Sequence, residues 1–316
     1  MKTKMKSSSP SLDLDGYRRL AGLDEPFKAT DVTPEKGVDR EALVDELLTY
    51  FKSELTFSPG VTEVEGTPSS YQEKRRTLRA LLTVREPDPL PSEVHTQLDR
   101  LLQRETLERG LAHASNLPRI AQVFPGSSYG AVSQCALWRG DITTLCVDAI
   151  VNAANAKMLG CFQPFHACID NAIHSAAGPR LREDCHAIMQ RQGCGEDAGR
   201  AKLTRAYNLP AKYVLHTVGP IVVHGENRVL SEHEQQLSDC YHSCLDLAKR
   251  VSAIRSIAFC CISTGVFGFP QELAARIALQ AVEQWLSSHP DSLDLVIFNV
   301  FREDDFEIYE RLLKAK

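Results

Sequence analysis

No stretch of this 316-residue sequence approaches the roughly 20 consecutive apolar residues that are needed to span a bilayer. The N-terminus, MKTKMKSSSP, is basic, but no apolar run follows it, so we expect no secretory signal. The net charge of −5 gives no indication of a duplex-DNA-binding protein, because phosphate contacts need clustered basic residues. The composition therefore predicts a soluble protein with neither a nucleic acid nor a membrane as partner.

Cysteine is absent from the first 134 residues, and all ten cysteines lie between Cys135 and Cys261. This uneven distribution suggests two segments with different roles. Without a secretory signal we expect a reducing compartment, the cytoplasm, where cysteines are buried apolar residues, metal ligands or reactive thiols. An apolar fraction of 43% and a charged fraction of 24% are typical of a globular protein.

The N-terminal part of the chain has little chemistry of its own. Residues 1–36 are rich in Ser, Asp, Lys and Pro, which predicts a mobile tail with a docking segment at 12–27. Helical spacing of apolar residues then predicts helices from residue 39, at 72–84 and at 92–110. We divide the chain accordingly, and we expect the helical extension to give structural support or to dock a partner. The predicted segments are a mobile tail at 1–36, a helical N-terminal extension at 37–130 and an α/β domain at 131–316.

Strands and helices alternate from about residue 132. The predicted strands lie at 149–151, 213–218, 256–262 and 293–300, and the predicted helices at 237–251, 271–286 and 304–313. Such alternation predicts a layered α/β domain with helices on both faces of the sheet. Ligands bind beyond the strand ends in these sheets, so the loops after the first and third strands are the places to search for a site.

The segment Ser263-Thr-Gly-Val-Phe-Gly-Phe-Pro follows a predicted strand and precedes a predicted helix. Gly265 and Gly268 allow the backbone to approach a ligand and to direct N–H groups toward it. A diphosphate suits such a loop, although an ordinary strand-to-helix turn has a similar composition. Phe267 and Phe269 are unusual for a turn, because loop aromatics are costly unless they pack or stack.

Two amides, Asn152 and Asn155, leave the first strand end with two alanines between them. They can cap the following turn or, beside a diphosphate loop, bind the hydroxyl groups of a ribose. Asp141, in Arg139-Gly-Asp-Ile, is equally ambiguous, as a turn residue or as a carboxylate that accepts a hydrogen bond from the amine of a base.

The sharpest local cluster is Cys161-x4-His166-x-Cys168. Two thiolates and an imidazole are ligands that zinc prefers. A structural zinc site would need a fourth ligand, and none follows at finger-like spacing. Three ligands with an open position indicate a catalytic zinc. The alternative is three loop residues that bind nothing.

Together these motifs resemble the macrodomain family of ADP-ribose-binding modules. The resemblance runs from about Cys135 to Lys316 in five blocks: Gly140-Asp-Ile-Thr, Val151-Asn-Ala-Ala-Asn, Ile169-Asp-Asn-Ala-Ile-His-Ser-Ala-Ala-Gly, Ala201-Lys-Leu-Thr with Tyr207-Asn-Leu-Pro-Ala-Lys-Tyr-Val-Leu-His-Thr-Val-Gly-Pro, and Ser263-Thr-Gly-Val-Phe-Gly-Phe-Pro. It implies a three-layer α/β/α macrodomain with a mixed central sheet, preceded by a helical extension. Hydrolases of the family usually have a glycine-rich stretch where this sequence has Gly160-Cys-Phe-Gln-Pro-Phe-His-Ala-Cys, which is similar to zinc-dependent macrodomains.

The resemblance also implies a role for each residue of the site. Asp141 would hold the adenine amine, the Ile142 backbone would support the ring, and Phe301 would stack on it. Asn152 and Asn155 would shape the distal-ribose site, with Asn155 favoured over Asn152 as the direct contact. The loop that would hold the diphosphate comprises Ser263, Thr264, Gly265, Val266, Phe267, Gly268 and Phe269. The predicted catalytic set comprises Asn155, Asp170, which would orient the ribose or a water, and the zinc ligands Cys161, His166 and Cys168.

The activity implied by the resemblance is zinc-dependent removal of mono-ADP-ribose from modified proteins, with the ester to an acidic side chain as the bond cleaved. The partners would be ADP-ribose and a mono-ADP-ribosylated protein, with a functional link to a sirtuin-type ADP-ribosyltransferase. One alternative is a non-catalytic reader that binds ADP-ribose and holds a structural zinc. Another is a scaffold whose helical extension docks a partner.

Overall fold

A computed structural model describes residues 11–25, 27, 39–55, 69–222 and 229–314 of the chain. The helices are α1 (Leu14–Tyr17), α2 (Arg40–Leu55), α3 (Tyr71–Val84), α4 (Ser92–Glu108), α5 (Ile120–Val123), α6 (Ile169–Ala177), α7 (Pro179–Gln192), α8 (Ser231–Lys249), α9 (Gln271–Ser288) and α10 (Glu303–Lys314). The strands are β1 (Ala112–His113), β2 (Cys135–Arg139), β3 (Leu145–Cys146), β4 (Ala149–Ala154), β5 (Ala201–Arg205), β6 (Tyr213–Val218), β7 (Ser256–Phe259) and β8 (Leu295–Val300). Among the helices described, none combines the length and the apolar character of a membrane-spanning segment.

Six strands form the central sheet in the order β2-β8-β7-β4-β6-β5. Neighbouring strands are parallel except for β5, which pairs antiparallel with β6, so the sheet is mixed. The connection from β4 to β6 moves the chain toward the β5 edge of the sheet. The connections from β6 to β7 and from β7 to β8 move it toward the β2 edge. Right-handed connections therefore place α6 and α7 on one face, and α8 and α9 on the other. The predicted three-layer α/β/α architecture with a mixed sheet is confirmed.

The four strands that the sequence predicts correspond to β4, β6, β7 and β8, which lie side by side within the sheet. The two edge strands, β2 and β5, are not among the predicted strands. In β5 a lysine in the second position suggests solvent exposure. In the structure Lys202 is buried and forms an ion pair with Glu196, which is itself buried. A buried charge needs such a partner, and only the tertiary structure supplies it.

The segment 11–25 packs on the α/β domain, which corrects the prediction of a mobile tail for these residues. Leu14 and Tyr17 of α1 are buried in the main core. The Tyr17 hydroxyl accepts a hydrogen bond from the Leu203 N–H at 2.9 Å. Tyr17 thereby satisfies a backbone donor of the edge strand β5. The predicted docking segment therefore docks on its own chain, and residues 1–10, 26 and 28–36 of the predicted tail lie outside the described residues.

The predicted helical extension is present as α2, α3 and α4, and these helices form a small core of their own. Its buried members are Val44, Leu47, Leu48, Phe51, Leu78, Leu81, Leu90, Val94, Leu98 and Leu101. Polar groups fix this bundle to the α/β domain: the Asn208 amide donates to Asp99 at 2.8 Å and accepts from Gln103 at 2.7 Å. All three side chains are buried, so these hydrogen bonds are shielded from water.

We expect Leu98→Ala to lower the free energy of unfolding by about 2–5 kcal/mol, because it leaves a cavity in the extension's core. Leu98 has no exposed surface, whereas Leu107 on the same helix α4 is 54% exposed. Leu107→Ala is therefore the matched control, with an expected change of about 0.5 kcal/mol or less. Chemical denaturation of both variants measures the difference. Equal losses would contradict the assignment of a separate core to the extension.

Candidate active site at the ends of the central strands

A cleft of about 1030 Å³ lies at the C-terminal ends of β4, β7 and β8. Because β4 and β7 are neighbours in the sheet, the loops that follow them meet at this edge. Eleven of the predicted site residues line the cleft: Asn155, Cys161, His166, Cys168, Asp170, Ser263, Thr264, Gly265, Val266, Phe267 and Phe301. Residues from three distant parts of the sequence thus share one concave surface.

The carboxylate of Asp170 lies at the inner wall of the cleft and is held by the two predicted amides. Asn152 donates to one of its oxygens at 2.8 Å, and Asn155 donates to the other at 3.4 Å. Burial raises the pKa of Asp170 to about 6, although the hydrogen bond from Asn152 and the positive charge of Arg182 act in the opposite direction. Asp170 is therefore a fixed hydrogen-bond acceptor in a largely dehydrated position.

Asn152 is fully buried and does not line the cleft, so its contact with the site runs through Asp170, and its role in shaping a distal-ribose site stays a prediction. Its amide nitrogen also lies 3.1 Å from His216 Nδ1. Burial lowers the pKa of His216 to about 3, so the ring is neutral. Since the amide donates, Nδ1 accepts, and the ring proton is on Nε2, which lies 3.0 Å from the Thr204 hydroxyl. The hydrogen bonds from Thr204 through His216 to Asn152 fix the orientation of the Asn152 amide from the side away from the cleft.

A buried group of His174, Cys185 and His216 also brings three potential metal ligands within 4.8 Å of one another. Both ring nitrogens of His216 already contact Asn152 and Thr204. We therefore assign this group to the hydrogen-bond network behind the cleft and not to a metal.

Asn155 joins the cleft wall to the start of the cysteine-containing loop. Its amide donates to the Gly160 carbonyl at 3.1 Å, and its oxygen accepts from the Lys157 N–H at 3.0 Å. Gly160 has a φ of 81°, and an added Cβ would lie 2.9 Å from the His174 ring. The loop can therefore turn at this point only with a glycine.

The side chains of Cys161, His166 and Cys168 meet at the mouth of this loop. Their ligand atoms lie within 4.8 Å of one another, with 3.6 Å between Cys161 Sγ and His166 Nδ1. Ligands of a tetrahedral zinc are roughly 3.3–3.8 Å apart, so the residues fit this metal. Within the described part of the chain no fourth Cys, His, Asp or Glu joins the group, and all three residues line the cleft.

Cys168 is also the N-cap of α6, where its sulfur accepts a hydrogen bond from the Asn171 N–H at 3.4 Å. Burial raises the pKa of the Cys168 thiol to about 11. A metal would displace its proton, and the positive N-terminal end of the helix favours the resulting thiolate. Cys168 is therefore a potential metal ligand at a position where the N-terminal end of α6 stabilises its thiolate form.

The loop after β7 lines the cleft with residues 263–267. The Ser263 hydroxyl is buried and has no hydrogen-bond partner among the described residues. Gly268 (φ 67°) and Phe269 do not line the cleft: their N–H groups bond to the Gly265 and Ser263 carbonyls, each at 3.0 Å. These two residues close the turn that presents the rest of the loop, and the role of the loop as a diphosphate site stays a prediction.

Asp141 and Ile142 also lie outside the cleft lining, so the predicted adenine contacts are not brought into it. Asp141 accepts hydrogen bonds from the Thr143 N–H and hydroxyl, and its other oxygen forms an ion pair with Arg109 at 3.0 Å. Ile142 is buried. Phe301, by contrast, is 75% exposed at the cleft edge, as a stacking residue must be.

Several cleft residues are not among the sequence predictions. Glu86, from the connector between α3 and α4, lines the cleft although it belongs to the helical extension. Asn299, in β8, lines it as well and donates to the Gly140 carbonyl at 2.9 Å. The sequence could have indicated Asn299 as a cleft residue, because it lies near the end of the buried strand that Phe301 directly follows. No sequence signal connects Glu86 with a loop so much farther along the chain.

Residues 151–278 match the model of the Macro domain family. The chain is 46% identical over 246 residues to a protein-ADP-ribose hydrolase of Treponema medium, covering 78% of this chain and 90% of that protein. It is 44% identical to a probable bifunctional ADP-ribose hydrolase/ADP-ribosyltransferase of Fusarium oxysporum, covering 75% of this chain and 40% of that protein. Among solved structures, the Trypanosoma brucei macrodomain in complex with ADP-ribose is similar, at a TM-score of 0.54 and 32% identity, covering 78% of this chain and 96% of that one.

We expect Gly160→Ala to displace the cysteine-containing loop, because its Cβ would collide with the His174 ring. Gly193 is the matched control: its φ is also positive, at 76°, but an added Cβ would meet no atom within 4 Å. Both substitutions carry a conformational cost of roughly 1–2 kcal/mol. Gly160→Ala should lose more stability and retain less zinc per protein, as measured by thermal melting and metal analysis. Equal zinc content in the two variants would argue against the role of this turn.

Proposed function

The chain belongs to the macrodomain family, and from that premise we propose that it is a zinc-dependent hydrolase that removes mono-ADP-ribose from modified proteins. The relatives named as protein-ADP-ribose hydrolases support the hydrolytic activity. The observation that carries the proposal is local: Cys161, His166 and Cys168 line the same cleft as Asp170 and the loop after β7. A binding surface and a group able to support hydrolysis are thus adjacent.

We assign substrate recognition to the part of the cleft away from the cysteines. Phe301 would stack on the adenine, and the backbone of residues 264–266 would face the diphosphate. Gly265 suits close approach, because a Cβ there would meet no atom within 4 Å. Recognition at a distance from the bond cleaved provides binding energy that can orient the distal ribose. Asp141 and Ile142 remain proposed adenine contacts only if the ring extends beyond the cleft.

We assign the distal ribose to the region between Asn155 and Asp170. Asp170 would accept a hydrogen bond from a ribose hydroxyl or from an attacking water, since its two oxygens are already oriented by Asn152 and Asn155. Hydrolysis of the ester adds a water across the link between the ribose and the acyl group, and it releases ADP-ribose and a free carboxylate. The role of this chain is to fix the ribose and to position the water.

Cys161, His166 and Cys168 would hold the zinc, which when bound supplies Lewis-acid polarisation of an oxygen or acidification of a water. The three side chains line the cleft and have no fourth ligand among the residues described, which supports a metal accessible to substrate. We propose the ester to Asp or Glu as the bond, because a carboxylate is a good leaving group.

A functional link to a sirtuin-type ADP-ribosyltransferase stays a prediction. The Fusarium relative, whose name combines a hydrolase with an ADP-ribosyltransferase, supports pairing with a transferase but not with a particular class of transferase. The Treponema relative carries the hydrolase name alone.

We expect Gly265→Glu to weaken ADP-ribose binding by at least tenfold, because it adds bulk and negative charge where the diphosphate would lie. Gly126→Glu is the matched control: an added Cβ meets no atom within 4 Å at either glycine, and Gly126 does not line the cleft. Isothermal calorimetry with free ADP-ribose measures both affinities. Wild-type affinity in Gly265→Glu would count against a diphosphate at this loop.

We expect His166→Ala, or a strong chelator, to abolish hydrolysis while the protein stays folded and still binds free ADP-ribose. The α/β domain has its own core, so loss of the metal should change the melting temperature little. Metal content, melting temperature and single-turnover release of ADP-ribose are measured on one preparation, with a protein modified at glutamate as substrate.

Two other outcomes would redirect the proposal. Wild-type turnover by zinc-free His166→Ala would remove the metal from catalysis and leave Asp170 as the centre. No turnover by the zinc-loaded wild type, with ADP-ribose binding intact, would favour the reader that holds a structural zinc. A serine-modified substrate run in parallel tests the ester: equal turnover of both substrates would contradict the preference for acidic side chains.

A further inference from the structure

The loop that carries the three proposed zinc ligands is held by contacts outside itself. It has no helix or strand between Gly160 and the start of α6, and its residue Phe165 has a φ of 61°. A left-handed conformation is unfavourable for a bulky residue by roughly 1–3 kcal/mol and persists only where surroundings enforce it. Phe165 is also 42% exposed, so burial of its ring is not what fixes it.

One of these contacts comes from the helical extension. The Arg76 guanidinium, on α3, lies 4.3 Å from the centroid of the Phe165 ring. Within about 6 Å a guanidinium over an aromatic face is attracted by the electrons of the ring. Phe165 directly precedes the ligand His166 in the sequence. The contact therefore holds the residue whose backbone continues directly into that of the imidazole-bearing His166.

A second contact reaches the other end of the loop through Arg182 of α7. Its guanidinium lies 4.3 Å from the centroid of the Phe162 ring, and Phe162 directly follows the ligand Cys161. The same guanidinium donates to the carbonyl of Arg85 at 2.5 Å and to the carbonyl of Leu82 at 3.3 Å. These carbonyls lie at the C-terminal end of α3, where the helix dipole favours a cation.

We propose that the helical extension positions the metal-ligand loop, through Arg76 on Phe165 and through Arg182 on Phe162. Each stacked ring is the immediate neighbour of a ligand, so the extension sets the spacing between Cys161 and His166. The extension is then part of the catalytic unit and not a separate docking module. This inference rests on the proposed function, because it concerns how the proposed zinc site is preorganised.

The geometry also explains why α3 can act on the loop. Helices α3 and α6 contact each other, and Cys168 is the N-cap of α6. Glu86, two residues after α3, lines the cleft beside Cys161. Arg76 of α3 contacts the loop and α6 follows it directly, so the loop lies next to two helices that are packed on buried cores.

The test compares Arg76→Ala, Arg76→Lys and Phe165→Leu with the wild type. Arg104→Ala is the matched control, because Arg104 is an exposed arginine on α4 whose partner is Glu108, far from the loop in sequence. Zinc affinity is measured by competition with a chromophoric chelator, a reading that does not depend on turnover. Melting temperature and the separate values of kcat and KM are measured on the same samples.

We expect Arg76→Ala and Phe165→Leu each to weaken zinc affinity roughly two- to fivefold, as loss of an exposed cation–π contact would. We expect kcat to fall while KM changes little, since neither residue would contact the substrate. Arg76→Lys should recover part of the loss, and the double variant Arg76→Ala/Phe165→Leu should lose no more than one single variant. Arg182→Met should have a larger effect, and its melting temperature reports whether it folds.

Two results would overturn the inference in different ways. Zinc affinity and kcat equal to those of Arg104→Ala, in both Arg76→Ala and Phe165→Leu, would show that the extension does not position the loop. In that case the proposed function stands as long as the wild type binds zinc and hydrolyses its substrate. A wild type that binds no zinc would overturn the proposed function, and the inference with it.

Discussion

The arrangement of the cleft depends on keeping one carboxylate, Asp170, buried and in a fixed orientation. A buried carboxylate is costly unless hydrogen bonds compensate it. Asn152 and Asn155 donate to its two oxygens, and the cation of Arg182 lies close enough to act on its pKa. Each of these partners also makes a second contact, since Asn152 contacts His216, Asn155 holds the turn at the start of the loop, and Arg182 binds the extension. The inner wall, the loop and the extension are therefore coupled through a single acidic group.

The position of that group follows from the topology of the sheet. Asn152 and Asn155 lie at the end of β4, whereas Asp170 is in the first turn of α6, the helix that follows the loop. The chain must leave β4, pass through the loop and return to the same strand end. The three thiol and imidazole ligands are thereby carried to the mouth of the cleft. A short irregular loop holds metal ligands in a defined position only when further contacts restrict the loop. Here the contacts of the Phe162 and Phe165 rings with two arginines provide that restriction.

The helical extension contributes more to the site than its sequence indicates. Its apolar spacing predicts the helices correctly, and the structure shows that they pack into a small bundle with its own core. The bundle makes polar contacts with the α/β domain, through Asp99 and Asn208 and through the carbonyls that bind Arg182. Such contacts have no periodic pattern in a sequence, because each requires a partner far away along the chain. The same reason explains why Glu86 escapes prediction as a cleft residue.

The sequence by itself determined the layered fold, the strand-end loops and the Cys161, His166 and Cys168 cluster, because hydrophobic periodicity and local ligand spacing are properties of short segments. It also indicated Asn155, Asp170 and Phe301 as cleft residues, through the order of the motifs. Only the tertiary structure decided which side chains face the cleft: Asn152 and Phe269 lie close to cleft residues in the sequence yet are buried away from it. It also decided that residues 11–25 are anchored by Tyr17. Orientation and long-range contact depend on how elements pack, and packing brings together residues that no local pattern connects.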